Sequence, residues 1–410
     1  MTFLPTVSVI VVSWQRPANL RRCLVALQQQ DHRQIELCLV ADPDTGAAAA
    51  AAWQAAGWTG QLAGNPGGNI SVARNIGLGM ARGDLVAFID DDAVAEPTWA
   101  GRLAAAFTDP TVVAATGHTR GRNGISWQWT ASEVDATGLD HALPVTKGMT
   151  LHQGTPQRAV KPVGTNCAFR RAALMQAGGF DPAYRFYLED ADIGLRLAAL
   201  GRTAVVPGAV VHHAFAASDR RRADRVPTDL HQIGASSMVF LRRHADPSLW
   251  PEALGRLRVE QADRLTAHRK AGRINTAEVA RLTGTLESGI RDGEARLLET
   301  LLPLHDKTAA FAPLPGTGPR PGRIIAGRIW QARRLRAKAT RAAAAGEVVT
   351  LILLSPTARP HRHRFDQAGF WEQSGGLFGP SDRSQPRFRW WRFATRIAAE
   401  TTRIAPFRPT

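Results

Sequence analysis

The sequence predicts an α/β protein built on a doubly wound sheet, followed by a mainly helical, basic extension. Three observations predict it. Strand-length apolar runs alternate with helical patterns through the first 215 residues. Acidic residues stand where those runs end. All the net charge lies beyond them, since residues 1–215 hold 17 Lys+Arg and 17 Asp+Glu while residues 216–410 hold 34 and 18.

"TVSVIVVSW" is continuously apolar and β-branched, which suits a strand buried on both faces. "PANLRRCLVALQQQ" places Leu20, Leu24 and Leu27 at helical spacing behind Pro17, a residue favoured at a helix start. "IELCLVAD" is a second strand. An alanine-rich helix and the turn cluster "GNPGGN" follow. "ISVARNIGLGMARG" reads as a helix stopped near Gly83, "DLVAFIDDD" as a third strand and "EPTWAGRLAAAF" as a helix. Residues 116–165 are rich in Gly, Thr and Trp and read as loops and short strands covering one edge. "CAFRRAALMQAGGFD" is a strand turning into a short helix. "YLEDADIGLRLAALG" is a helix, and "TAVVPGAVVHHAF" a final strand. Sheets of this kind bind ligands outside the carboxyl ends of their strands. Asp42, Asp44 and Asp90 to Asp92 fall there and gather along one rim.

Beyond "DRRRADR", residues 229–305 read as two or three helices. "PLPGTGPRPG" is a Pro/Gly linker. "RIIAGRIWQARRLRAKATRAAAAG" reads as one basic amphipathic helix, and "RFRWWRFATRIAAETTRIAPF" mixes aromatics with arginine. The expected division is 1–217, a catalytic domain; 218–312, a helical extension; 313–322, the linker; and 323–410, a basic, aromatic region. Cys23, Cys38 and Cys167 are too few and too scattered for a disulfide framework or zinc cluster, which suits a reducing cytoplasm. No signal peptide is visible in "MTFLPTVSVIVVSW", and no apolar run approaches membrane-spanning length.

Asp90, Asp91 and Asp92 close a buried-looking strand with three like charges, which resist ionising together. A divalent cation holding a phosphorylated ligand resolves that conflict, because Mg²⁺-like ions take one or two carboxylates plus phosphate oxygens. A solvated turn capped by Asp92 is the bland alternative.

The neighbouring segments favour the cation. "VSVIVVSWQRP", "SVARNIGLGMARGDLVAFIDDD", "GTNCAFRRAALMQAGGFD" and "FYLEDADIGLRLAALG", in that order, strongly resemble the nucleotide-sugar glycosyltransferases of family 2, which have the GT-A fold. The resemblance covers about residues 5–245. It implies an inverting, non-processive transferase that uses a nucleotide-sugar donor and Mn²⁺ or Mg²⁺. Asp90 and Asp92 match the Asp-x-Asp pair as metal ligands, and Asp91 is implied at the ribose. Asp190 matches the base of the Glu-Asp motif, taking the proton of the acceptor hydroxyl as it attacks the anomeric carbon. Glu189 diverges from Asp190 by about 100° on a helix, so only one faces the site. Asp192 reads as a solvated residue paired with Arg196. A histidine after the final strand completes the metal set. His212 is chosen over His213, because adjacent residues of a strand face opposite sides and only one serves. Ser13 and Arg16 fall in the nucleotide-contacting loop, and Arg74 and Asn75 in the Ala-Arg-Asn helix, where Arg74 braces the diphosphate or the Asp-x-Asp loop.

Two departures matter. "VADPDTG" replaces the family's Val-Asp-Asp/Asn-Gly-Ser, leaving Asp42 as the candidate for the base imide. The processive Gln-x-x-Arg-Trp motif is missing after the Glu-Asp helix, and "QPRFRW" lies far downstream with one residue too many. A non-catalytic nucleotide-sugar-binding scaffold of the same fold is the alternative, and the intact Asp90, Asp92 and Asp190 argue against it. A dinucleotide-binding dehydrogenase fails for want of Gly-x-Gly-x-x-Gly after the first strand. The acceptor class is a saccharide, lipid-linked or other glycoconjugate. For the basic region, arginine with Ile324, Ile325, Ile329, Trp330, Phe388, Trp390, Trp391 and Phe393 suits an anionic membrane surface, which places the protein in the cytoplasm or peripherally on the inner membrane face. An ordinary basic surface is the alternative. Nucleic acid is disfavoured by the neutral first half and the absence of a recognisable motif.

Overall fold

The computed structural model describes residues 5–214, 220, 222, 224–305 and 310–410. The expected boundary at 217/218 and part of "DRRRADR" lie outside the described residues. The chain begins β1 (Val7–Ser13), α1 (Pro17–Leu27), β2 (Ile35–Ala41), α2 (Pro43–Ala55), β3 (Gln61–Gly64), α3 (Ile70–Met80) and β4 (Leu85–Phe88). It continues through β5 (Ala93–Ala95), α4 (Trp99–Ala106), β6 (Val112–Arg120), β7 (Trp127–Trp129), β8 (Ser132–Asp135), β9 (Asp140–Ala142), β10 (Thr150–His152), β11 (Arg158–Val160) and β12 (Cys167–Arg170). Then come α5 (Arg171–Gln176), α6 (Glu189–Leu197) and β13 (Arg202–His213).

The main sheet runs β10-β13-β6-β12-β4-β1-β2-β3, with β5 paired to β13 and β7 to β6. Strands β4, β1, β2 and β3 are mutually parallel. The expected doubly wound order therefore holds in this half. The other half is mixed, because β12 runs antiparallel to both β4 and β6. The chain reaches β12 from the rim through residues 121–166 instead of through a crossover helix, and that reverses its direction. The order reverses at β1, which neighbours both β2 and β4, so the ligand crevice opens between β1 and β4.

Strand β6 is central and buried along its length, yet the sequence analysis places no strand there. Its second half, from Thr116 to Arg120, is polar. Those groups are paid for internally: Thr116 donates to the Asn166 carbonyl, and Asn166 Nδ2 donates to the His118 carbonyl at 3.0 Å. Residues 132–160, expected as loops and short strands, carry the three-stranded sheet β11-β8-β9.

Helices α7 (His231–His244), α8 (Trp250–Lys270) and α9 (Thr276–Ala295) form the extension. Helices α7 and α9 cross closely at glycine. A Cβ on Gly289 would stand 1.9 Å from the His231 carbonyl oxygen, so only glycine fits there. Helix α7 also packs Val239 and Phe240 against Tyr184, Leu188 and Leu195 of the N-terminal half. Its Arg243 and His244 bond Asp181 and Asp192 at 2.9 Å each. Asp192 is buried, not solvated as the sequence suggested. Arg196 and His244 both bond it.

The expected linker is fixed to the sheet. Leu314 is buried in the main core and donates its N–H to the Ile35 carbonyl at 2.7 Å. The basic region is a folded α/β unit: β14 (Gly322–Arg328), α10 (Ala332–Ala344), β15 (Val348–Ser355), β16 (Arg362–Phe365), β17 (Phe370–Gly376) and α11 (Phe393–Ile404). Its sheet runs β14-β15-β17-β16. The single amphipathic helix expected from Arg323 onward is thus a strand followed by a helix. "RIIAGR" pairs in parallel with the apolar β15, which supplies the buried neighbour a strand needs. One face packs Ile325 and the α10 residues Leu335, Ala339 and Ala342. The other packs Ile324, Trp391 and Phe393 with Ile352 and Leu354. Half of the aromatic and aliphatic set expected on a membrane surface is therefore interior. Ile329, Trp330, Phe388 and Trp390 remain exposed, the last at 77%.

Candidate active site

The crevice between β1 and β4 is bridged directly. Ser13, closing β1, donates its hydroxyl to Asp91 Oδ2 at 2.7 Å, and Arg16 Nη1 reaches Asp91 Oδ1 at 3.1 Å. Asp91 is buried and pushed up to about 6 by that burial, with Arg16 and Ser13 pulling the other way. It ties the loop after β4 to the loop after β1. Asp42 closes the same rim. It caps α2 through the Thr45 N–H at 3.1 Å and accepts the Gln15 N–H at 2.6 Å. Burial opposes its charge, but those donors outweigh burial and hold the carboxyl below its usual range. Gln15 itself has left-handed backbone, φ 54°. Trp14 lies against Gly67, where a Cβ would meet the ring at 2.8 Å.

The β5–β13 pair builds the next part. His213 stands opposite Ala93, and His212 opposite Val94. This register sets His213 beside Asp92, with Nε2 3.0 Å from Asp92 Oδ1 and 3.8 Å from Asp90 Oδ2. One ligand atom each from Asp90, Asp92 and His213 falls within 4.8 Å of the others. The His213 Nδ1 faces Gln128 Oε1 at 3.1 Å, which favours a proton on Nδ1 and a lone pair on Nε2 towards the carboxylates. Trp129 lies over the same ring, centroids 5.5 Å apart. Two carboxylate oxygens and an imidazole nitrogen fit a divalent cation, and Asp90 is partly exposed on the side where phosphate oxygens would complete the shell.

His212, the ligand expected from sequence, is not in this group. Strand alternation turns it to the opposite face, where Nε2 meets Glu96 Oε1 at 2.8 Å and the ring packs on Trp371 at 5.0 Å. Burial lowers its basicity, against the Glu96 carboxylate. The histidine of the candidate metal group is His213.

Asp190 and Glu189 diverge as helical geometry requires. Glu189 is buried and bonds Arg74 Nη1 at 2.9 Å. Burial raises its pKa, against the neighbouring guanidinium. Asp190 is half-buried and accepts the Gly164 N–H at 3.0 Å. The residues before β12 link it to the metal group: Cys167 pairs with Phe88 at the end of β4, so Gly164 runs beside the Asp90 loop. Tyr187 and Leu188, leading into α6, both have left-handed backbone, φ 78° and 65°. Such strain persists only where the surroundings fix it. Lys161, bonded to Asp140 at 2.8 Å, is held charged by Asp190 and Asp140 against the cost of its burial.

Arg74 and Asn75 do something other than expected. The Arg74 guanidinium is enclosed between Glu189 and the rings of Phe88 and Phe180, and reaches the Gly164 carbonyl, not the Asp-x-Asp carboxylates. It braces the start of α6 and the Gly164 loop. Asn75 spends both ends of its amide on the Phe180 backbone, at 2.7 and 2.8 Å, and acts as a strut. Gln128, Glu96 and Gly164 were missed from sequence. "WQW" flanking one polar residue on a short strand was the available signal for Gln128.

A family model described as glycosyltransferase like family 2 matches residues 5–225, more than half of the chain. The chain belongs to this family. The match covers every strand of the main sheet, and that sheet is the Rossmann-like α/β sheet the resemblance implied. This family 2 chain is also 28% identical over 210 residues to the uncharacterized protein MT1568 of Mycobacterium tuberculosis (strain CDC 1551 / Oshkosh), covering 50% of this chain and 65% of that one. Among solved structures it is similar to GalNAc-T7 with UDP, GalNAc and Mn²⁺, at 16% identity and TM-score 0.43, covering 52% of this chain and 44% of that one. S. aureus TarS matches at 16% and 0.41, covering 58% and 39%. The mannosyltransferase PcManGT from Pyrobaculum calidifontis in complex with GDP-Man and Mn²⁺ matches at 18% and 0.44, covering 72% and 88%.

Proposed function

We propose that this protein transfers a sugar from a nucleotide-diphosphate donor to a hydroxyl of a saccharide or lipid-linked acceptor, inverting the anomeric centre in one displacement. The observation that carries the reading is the pairing on one rim of an open carboxylate, Asp190, with the Asp90, Asp92 and His213 group, joined through Gly164 and β12. Ser13, Arg16 and Asp91 line the diphosphate and ribose side, and Asp42 the base side. Asp90, Asp92 and His213 would hold Mn²⁺ or Mg²⁺. When bound, the cation supplies charge neutralisation to the departing diphosphate. Asp190, oriented by the Gly164 N–H, accepts the proton of the acceptor hydroxyl as its oxygen bonds the anomeric carbon and the nucleotide leaves from the other face. No helix among the described residues is long and apolar enough to cross a membrane. The exposed Trp330, Phe388 and Trp390 stand in a unit with 17 Lys+Arg against 5 Asp+Glu over residues 323–410, which supports docking on an anionic membrane surface.

Calorimetry with a panel of nucleotide sugars, with and without Mn²⁺, tests the donor assignment, and binding of none would remove it. Asp190→Asn is expected to abolish transfer and keep donor binding. Asp92→Ala is expected to weaken metal-dependent donor binding.

A further inference from the structure

Strands β5 and β13 are held from the side away from the metal group by a residue of the C-terminal unit. Glu96, directly after β5, is buried and donates its N–H to the Val210 carbonyl of β13 at 3.0 Å. Its carboxylate takes both arms of Arg408, Nε at 2.6 Å and Nη2 at 2.7 Å, and the His212 Nε2 at 2.8 Å. The Arg408 side chain is 2% exposed, and its guanidinium lies 3.8 Å over the Trp371 ring. Glu96 is four residues from Asp92, and His212 is the neighbour of His213. One fork-shaped contact therefore fixes both strands that deliver Asp92 and His213.

We propose that Arg408 is a positioning residue of the active site: by clamping Glu96 and His212 it sets the spacing of Asp92 and His213 and hence the affinity for divalent metal. The C-terminal unit is then a working part of the catalytic centre. A planar fork on a buried carboxylate fixes orientation as well as charge, which a flexible ammonium does not. Supporting residues of metal ligands typically change metal affinity by about 10–100-fold when removed. The inference rests on the metal set proposed above.

The test is calorimetric titration of Mn²⁺ into the full chain, together with amide hydrogen exchange in β5 and β13 without metal. Arg408→Ala is expected to weaken Mn²⁺ binding about 10–100-fold and to speed exchange of the β5 and β13 amides, and Arg408→Lys to fall between it and the wild type. Glu372→Gln is the control for general loosening. Glu372 is buried in the same unit and paired with Arg336 and Arg364, and none of these pairs involves Glu96. It is expected to lower the melting temperature and leave Mn²⁺ affinity unchanged. Unchanged Mn²⁺ affinity in a folded Arg408→Ala chain, or an equal loss in Glu372→Gln, overturns the clamp. If the wild type binds no Mn²⁺, the metal assignment fails, and the exchange rates alone decide whether Arg408 holds the two strands.

Discussion

Replacing Arg74 by methionine removes the counter-charge of a carboxylate that has nowhere to go. Glu189 and Arg74 are 10% and 6% exposed at their side chains, 2.9 Å apart, and Glu189 Oε2 has no hydrogen-bond partner among the described residues. Breaking such a pair costs about 3–5 kcal/mol at neutral pH. The part owed to the bare charge is capped by proton chemistry, because the folded variant avoids burying that charge by taking up a proton. At pH 7 that uptake costs an ordinary glutamate about 3.7 kcal/mol, and at pH 5 about 1 kcal/mol, from 1.36 kcal/mol per unit above 4.3. Burial already raises the Glu189 pKa in the intact protein, so the folded chain holds its proton to higher pH than the unfolded chain. Its contribution to stability therefore falls as pH rises through the raised pKa. Losing Arg74 moves that value further up and widens the window. Urea unfolding at pH 5 and pH 7 is expected to show a smaller deficit at pH 5, by at most about 2.7 kcal/mol because the raised pKa of the intact protein already takes part of that change, and Arg74→Met/Glu189→Gln is expected to recover most of the neutral-pH loss. An equal deficit at both pH values would refute the reasoning.

His213→Ala is expected to lower Mn²⁺ affinity at least about tenfold by calorimetry, since it removes one of three ligands. Gly289→Ala forces a methyl group onto the His231 carbonyl and is expected to cost about 2–3 kcal/mol, read as a lower melting temperature of the helical extension. Glu96 has its pKa held far below the usual carboxylate range, its burial being outweighed by Arg408 and His212. It contributes stability that is full above the ordinary glutamate value near about 4.3 and is lost as pH falls through the folded value, so Glu96→Gln is expected to flatten the acid limb of the unfolding curve. Trp330→Ser/Trp390→Ser is expected to reduce co-flotation with anionic vesicles and not with neutral ones. Unchanged flotation, or salt-sensitive binding of single-stranded nucleic acid instead, would remove the membrane reading.

Where apolar periodicity sets the structure, it was legible. Strands β1, β2 and β4 and helices α1, α3 and α6 follow from runs whose burial is uniform or one-faced. Strand β6 was hidden because its inner half is stabilised by side-chain to backbone bonds from Asn166, 50 residues after Thr116, and hydrogen bonding at that distance leaves no periodic trace. Strand β14 was hidden for the opposite reason. "RIIAGR" fits a helix by its own spacing, and only the parallel neighbour β15 selects the extended form.

The histidine pair shows what kind of information was missing. Alternation on a strand establishes that one of His212 and His213 faces the metal group and the other faces away, and nothing local says which. The parity is fixed by the register of β5 against β13, which places Ala93 beside His213. A buried acid selects the same register from the other side. Glu96 carries a charge that must be compensated, and His212 and Arg408 bond it from its own face. The sequence holds part of that clue in "DDDAVAE": Glu96 shares its face of the strand with Val94, the partner of His212, and a buried acid there needs a cation on that side. The cation comes from residue 408, so the site's parity is settled by a contact that spans 312 positions of chain.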